Sequence, residues 1–208
     1  MTVTLYAATT NPGKLRDFSV AATEGGFTVE SPSAFREIAP PAEDEPTFAG
    51  NARVKAQYYS RFAPGLVLAD DSGLEVDALG GEPGVRSARF AEDAGYEPRG
   101  AGAGLTDDER NNLYLLSRLR GVTERTARYR CALAVARDGQ LLLTAEGTVN
   151  GEILCVPRGN GGFGYDPVFW LPQLRFTMAE ISLEQKHALS HRGRAFRALL
   201  PELIHLTR

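Results

Sequence analysis

Leu66-Val67-Leu68-Ala69-Asp70-Asp71-Ser72-Gly73 joins an apolar run to two adjacent acids and a Ser-Gly pair. With Pro64-Gly65 before it and turn residues after it, the run from Leu66 to Ala69 predicts a buried-type strand. Adjacent strand residues point to opposite faces, so Asp70 and Asp71 reach one ion only if the chain turns between them, and Ser72-Gly73 predicts that turn. Paired carboxylates after a buried strand suit Mg²⁺, a hard cation that takes one or two carboxylates and shares the oxygens of a phosphate.

Upstream, Thr47 to Phe62 has helical spacing through Asn51, Ala52, Lys55, Ala56 and Tyr59, and Pro64-Gly65 ends it. Val3 to Thr9 reads as a strand, followed by the turn Thr10-Asn11-Pro12-Gly13 and a helix over about Lys14 to Thr23. Downstream, Thr106 and Glu109 have capping-box spacing ahead of a helix from Asp107 to Leu119. Arg128 to Arg137 alternates in hydrophobicity, then Asp138-Gly139 signals a hairpin into Leu141 to Thr148. Ser182 and Gln185 form a second capping-box pair, and Ser190 opens a last helix, expected to bend at Pro201. Helices with parallel and antiparallel strand candidates predict an α/β protein with a mixed sheet. The stretch from Glu92 to Gly104 has no apolar periodicity and predicts a mobile surface loop.

The 208 residues carry 23 basic and 26 acidic side chains, 43% of them are hydrophobic, and one domain spanning 1–208 is expected. A net charge of −3 gives no broad basic field, so long nucleic acid is disfavoured and phosphate chemistry must come from a local cluster. No segment approaches the ~20 apolar residues of a membrane span and Met1 to Ala8 lacks a basic leader, so a cytoplasmic protein is expected. Cys131 and Cys155 have no metal-ligand spacing and are expected to be buried thiols.

Five stretches carry chemistry. Thr9-Thr10-Asn11-Pro12-Gly13-Lys14 places amides at a helix start beside a lysine, the logic of a phosphate loop without a Walker A pattern. Asp70-Asp71-Ser72-Gly73 offers carboxylates. Asn51 and Lys55 share a helix face near the acids Glu43, Asp44 and Glu45. The loop Gly159 to Pro167 contains G-x-G-x-x-G but leads into an extended run, so it reads as a loop that brings Phe163, Gly164, Tyr165 and Asp166 to a ligand rather than as a dinucleotide fingerprint. Lys186 and Ser190-His191-Arg192 close the set. His187 and His191 are four apart, yet no third ligand accompanies them, so zinc is disfavoured. Together, three lysines, an arginine, three carboxylates and two amide-rich loops are the parts for a polyphosphate and a divalent metal.

The strings TTNPGK at 9–14, TFAGNARVKA at 47–56, ADDSGLEVDALGGEPGVRSARF at 69–90, GGFGYDPVF at 161–169 and SHRGRA at 190–195 make the chain resemble the inosine triphosphate pyrophosphatase, or Ham1, family. The resemblance implies an elongated two-lobed α/β fold with a central mixed sheet, a nucleotide cleft between the lobes and a homodimer. It implies hydrolysis of ITP, dITP and XTP to the monophosphate and pyrophosphate, which cleanses the nucleotide pool. Mg²⁺ would be held by Glu43 and Asp71 with Asp70, Asp44 and Glu45 being alternatives to Glu43, and Asp71 would accept a proton from water. Lys14, Lys55 and the amides of Thr10, Asn11, Pro12 and Gly13 would hold the phosphates, Ser72 would touch the substrate, and Thr9 and Asn51 would join the substrate-binding set. Phe163 to Asp166, Lys186, His191 and Arg192 would form the base side.

Overall fold

The computed structural model describes residues 3–98 and 104–207. In chain order the strands are β1 (Val3–Ala7), β2 (Phe27–Glu30), β3 (Val67–Val76), β4 (Thr126–Arg137), β5 (Gln140–Ile153), β6 (Phe169–Leu171) and β7 (Phe176–Thr177). The helices are α1 (Pro12–Thr23), α2 (Phe48–Tyr59), α3 (Phe90–Asp93), α4 (Asp107–Arg118), α5 (Leu183–Leu189) and α6 (His191–Leu206). The strands form one mixed sheet in the order β2-β1-β3-β4-β5-β6-β7. β1 is parallel to β2 and to β3, whereas β5, β6 and β7 run antiparallel. The expected α/β mixed sheet is present.

Two compact units share this sheet: Met1–Ser72, Arg130–Thr148 and Leu183–Arg208 in the first, Gly73–Tyr129 and Val149–Ser182 in the second. Each has its own core. In the first, Leu5, Phe18, Leu68, Leu133, Phe196 and Leu199 pack together, with α1 against α5 and α6. Leu74, Leu115, Leu119, Ile153, Phe169 and Leu171 fill the second.

Local signals account for most boundaries. Asn11, Thr47, Thr106 and Ser190 cap α1, α2, α4 and α6 with their side-chain oxygens, and Thr106 with Glu109 completes the expected capping box. Asp138 and Gly139, both at positive φ (52° and 79°), turn β4 into β5. Pro201 lies inside α6.

Three expectations change. The strand after Leu66 does not turn at Ser72-Gly73 but runs on to Val76. Gly73 is there for close approach: a Cβ would lie 2.3 Å from Ser87 Oγ and 2.6 Å from Gly84 O, and the Leu74 amide donates to Ser87 Oγ at 2.9 Å. Cys131 is buried as expected, but Cys155 is exposed, in the turn that follows β5. Of the stretch from Glu92 to Gly104, the first residues complete the short helix α3, residues 96–98 follow its turn without helix or strand, and residues 99–103 lie outside the described residues.

Candidate active site

Because β3 is unbroken through Asp70, Asp71 and Ser72, alternation sends Asp70 and Ser72 to one face and Asp71 to the other. The two acids therefore meet different helices.

Asp71 faces α2. Lys55 Nζ lies 3.4 Å from Asp71 Oδ1 and 3.0 Å from Glu43 Oε2, so one ammonium bridges the two carboxylates. Asn51, one turn earlier, is 1% exposed. Its Nδ2 donates to Asp71 Oδ2 at 3.0 Å and its Oδ1 accepts from the Glu45 amide at 3.1 Å. Asn51 thus ties the acidic segment to Asp71. Burial raises the pKa of Asp71 above the ordinary carboxylate value, against the pull of Lys55 and of the Asn51 amide. Burial disfavours the Lys55 charge, but Asp71, Asp70 and Glu43 outweigh it and hold its pKa above the usual lysine value.

Asp70 faces α1 and α6. Its Oδ2 lies 2.8 Å from Lys14 Nζ and accepts from Ser72 Oγ at 3.0 Å. Arg192 donates from Nη2 to Ser72 Oγ at 2.8 Å and from Nη1 to Asp17 Oδ2 at 3.4 Å, with Nε 3.8 Å from Asp70. Two acids thus offset two cations in a largely buried group. Burial alone would raise the pKa of Asp70, but Lys14, Arg192 and Lys55 overcome it and hold the carboxyl at about 2. Next to Arg192, His191 is buried, and burial with the charges of Arg192, Lys186 and Lys14 pushes its pKa well below the ordinary histidine value. Lys186 is buried in α5.

The phosphate-loop stretch holds its own amides. Asn11 Oδ1 accepts from the Gly13 and Lys14 amides at 2.8 and 3.1 Å, the Asn11 amide donates to Thr9 Oγ1, and Pro12 has no N–H. Thr10 is exposed at the strand-to-helix turn. Lys14 is the positive group that this turn supplies.

In the second unit the loop from Gly159 to Asp166 is folded on itself. Asp166 is buried, and its Oδ2 accepts from the Phe163 amide at 2.9 Å while its Oδ1 meets Tyr129 Oη at 3.4 Å. Gly162 has a φ of +76°, and a Cβ there would lie 2.1 Å from Asp166 Oδ2, so glycine is needed on both counts. Tyr165 is buried and donates to Ser87 O at 2.8 Å. Phe163 stays half-buried.

The candidate residues therefore form three groups. Glu43, Asn51, Lys55 and Asp71 come together, as do Lys14, Asp70, Ser72 and Arg192, and Phe163 to Asp166 share the glycine-rich loop. Of the three acids before α2, Glu43 is the one whose carboxylate reaches Lys55. Glu43 and Asp71 fit a hard cation, since both direct oxygens at the same positive centre. Asp70 does not join them, and among the described residues no three His, Cys, Asp or Glu form a metal-holding group. Of the paired histidines, His187 lies with its Nε2 3.0 Å from Glu24 Oε1. Sequence reading missed Asp17, the second acid against Arg192, which carries no motif signal inside α1.

The model of the Ham1 family matches residues 5–202. A dITP/XTP pyrophosphatase of Acidobacterium capsulatum is 60% identical over 98% of this chain and 99% of its own length. One of Thermus thermophilus is 47% identical over 93% and 88%. The Ham1 protein of Staphylococcus aureus superposes with a TM-score of 0.79 at 36% identity, covering 98% of this chain and 99% of its own. A HAM1 protein of Coxiella burnetii gives 0.80 at 31%, over 98% and 100%. With the motif strings in family order and near full-length agreement in both sequence and fold, the chain belongs to the Ham1 family.

Proposed function

We propose that the chain hydrolyses non-standard purine nucleoside triphosphates, dITP, XTP and ITP, to the monophosphate and pyrophosphate. The observation that carries this reading is the Glu43-Lys55-Asp71 group, in which a buried carboxylate of raised pKa stands beside an ammonium. The group holds two carboxylates on one positive centre, the arrangement that a phosphate-bearing substrate and a divalent cation need.

Asp71 takes a proton from the attacking water, with Asn51 fixing the orientation of its carboxylate. Lys55 and Lys14 provide positive charge for the phosphates as the bond to the leaving pyrophosphate breaks. Mg²⁺ is the cation proposed for Glu43 and Asp71; when bound it would neutralise phosphate charge. Ser72 contacts substrate from the Asp70 side. Lys186, His191 and Arg192 provide donors for the 6-oxo group of hypoxanthine or xanthine, and the same donors oppose the 6-amino group of adenine, which leaves both unpaired. Phe163 offers a ring face to the purine.

A homodimer and a cytoplasmic location belong to the same proposal, supported by the family resemblance. Among the described residues no helix is long and apolar enough to cross a membrane. Pyrophosphate release from dITP, XTP, dATP and dGTP, with and without Mg²⁺, tests the reading. Turnover of dITP and XTP only with the metal is expected, and equal turnover of dATP would overturn it.

A further inference from the structure

Gly164 is held at both of its backbone groups by one helix. Its N–H donates to Asp108 Oδ2 at 2.7 Å, and its carbonyl accepts from Asn112 Nδ2 at 2.9 Å. Asp108 and Asn112 are four apart on α4 and so share a face. Gly164 takes a φ of +61°, in the left-handed region that glycine enters freely, and as glycine it has many other conformations open to it, so these two hydrogen bonds are what select this one. The same helix is itself anchored: Asn111 accepts from the Ala91 amide at 2.8 Å and donates to Ala88 O at 3.0 Å.

These contacts bear on Phe163. The peptide before it is fixed by Asp166, which accepts the Phe163 N–H, and the peptide after it is fixed by Asp108, which accepts the Gly164 N–H. Its backbone is thus clamped on both sides while its ring is only half-buried. Asn112 is 8% exposed, and its Oδ1 has no hydrogen-bond partner among the described residues. An apolar side chain would avoid burying that unmet acceptor, so what the amide contributes is its N–H to Gly164.

We propose that Asp108 and Asn112 are positioning residues that lock Gly164 and so preset Phe163 against the purine base, governing substrate affinity rather than turnover. This rests on the reading that the loop from Gly159 to Asp166 meets the base. A loop ordered before binding loses little conformational freedom when the substrate arrives, so releasing it weakens binding of ground state and transition state alike.

The test compares Asp108→Ala, Asn112→Leu and Phe163→Ala with the wild type in steady-state hydrolysis of dITP, and follows hydrogen exchange at the Gly164 amide. Asp108 is exposed, so Asp108→Ala keeps the test open should Asn112→Leu fail to fold. Both clamp variants are expected to raise KM about tenfold with kcat changed by less than about threefold, and to speed exchange at Gly164. Asp108→Asn keeps an acceptor oxygen and restores KM. If Phe163→Ala raises KM while both clamp variants leave it unchanged, the loop reading stands and the clamp proposal falls. If Phe163→Ala leaves KM unchanged too, the loop does not meet the base, and the proposal falls with that reading. A loss confined to kcat in the clamp variants also overturns it.

Discussion

At Asp71 burial and charge pull against each other, and the outcome makes its chemistry sensitive to a single atom. Asp71→Asn keeps the shape and an acceptor oxygen for Asn51 but removes the proton acceptor. It is expected to fold normally and to lose about 10²- to 10³-fold in kcat, the scale of one lost electrostatic contact to a transition state. Pyrophosphate release from dITP, with circular dichroism as the folding control, checks this. On the other face, Asp70→Ala leaves Lys14 and Arg192 with one acid, Asp17, nearby. Breaking a buried ion pair costs about 3–5 kcal/mol; because Lys14 is partly exposed, a loss toward the lower end of that range is expected in urea unfolding. The types and positions of these residues were legible in the sequence. Their partition was not, because Ser72-Gly73 carries turn chemistry and only the packing of Gly73 on Ser87 explains why the strand goes straight on.

Among the elements, β5 and α6 meet with little room to spare. A Cβ on Gly147 would lie 2.2 Å from His191 O and 2.4 Å from the Ala195 amide, both of them backbone atoms that cannot swing aside. Gly147→Ala must push the start of α6 away from the sheet, and overpacking of this kind costs about 1–3 kcal/mol. At about 2–4 °C per kcal/mol for a chain of this size, Tm is expected to drop by roughly 2–12 °C in calorimetry. An unchanged Tm would mean that α6 moves freely. Capped helices and the Asp-Gly hairpin were readable because their signals lie within a few residues of one another. β2 and β7 were not: four and two residues long, they exist through pairing with β1 and β6, and pairing leaves no local mark. The role of α4 was hidden for a similar reason, since Asp108 and Asn112 look like a charged, solvated helix face until the loop from Gly159 is folded against them.

For the molecule as a whole, stability should depend on pH through two depressed groups. His191 is neutral when folded, while an unfolded histidine takes a proton near pH 6.5. Its contribution is intact above that pH and declines below it, by up to about 1.4 kcal/mol per pH unit. Asp70, at about 2 when folded, adds roughly 2–3 kcal/mol that is present above about pH 4 and is lost between about pH 4 and pH 2. Urea unfolding from neutral to acid pH is expected to show decline in both windows, with the upper one absent in His191→Asn. Composition and net charge gave the class of the molecule and nothing about this dependence, which arises where tertiary structure buries ionisable groups beside one another.

Adjacent residues serving opposite sides of one strand also make β3 a device with parity. Tyr6 opposite Val67 and Ala7 opposite Leu68 pin its register. Sliding the strand by one residue would send Asp70 toward Lys55 and carry Asp71 away from it, since a single step exchanges the two faces. Every chemical group would still be present, wired to the wrong neighbour. Insertions or deletions of one residue between Leu68 and Asp71 should therefore abolish activity even in variants that fold.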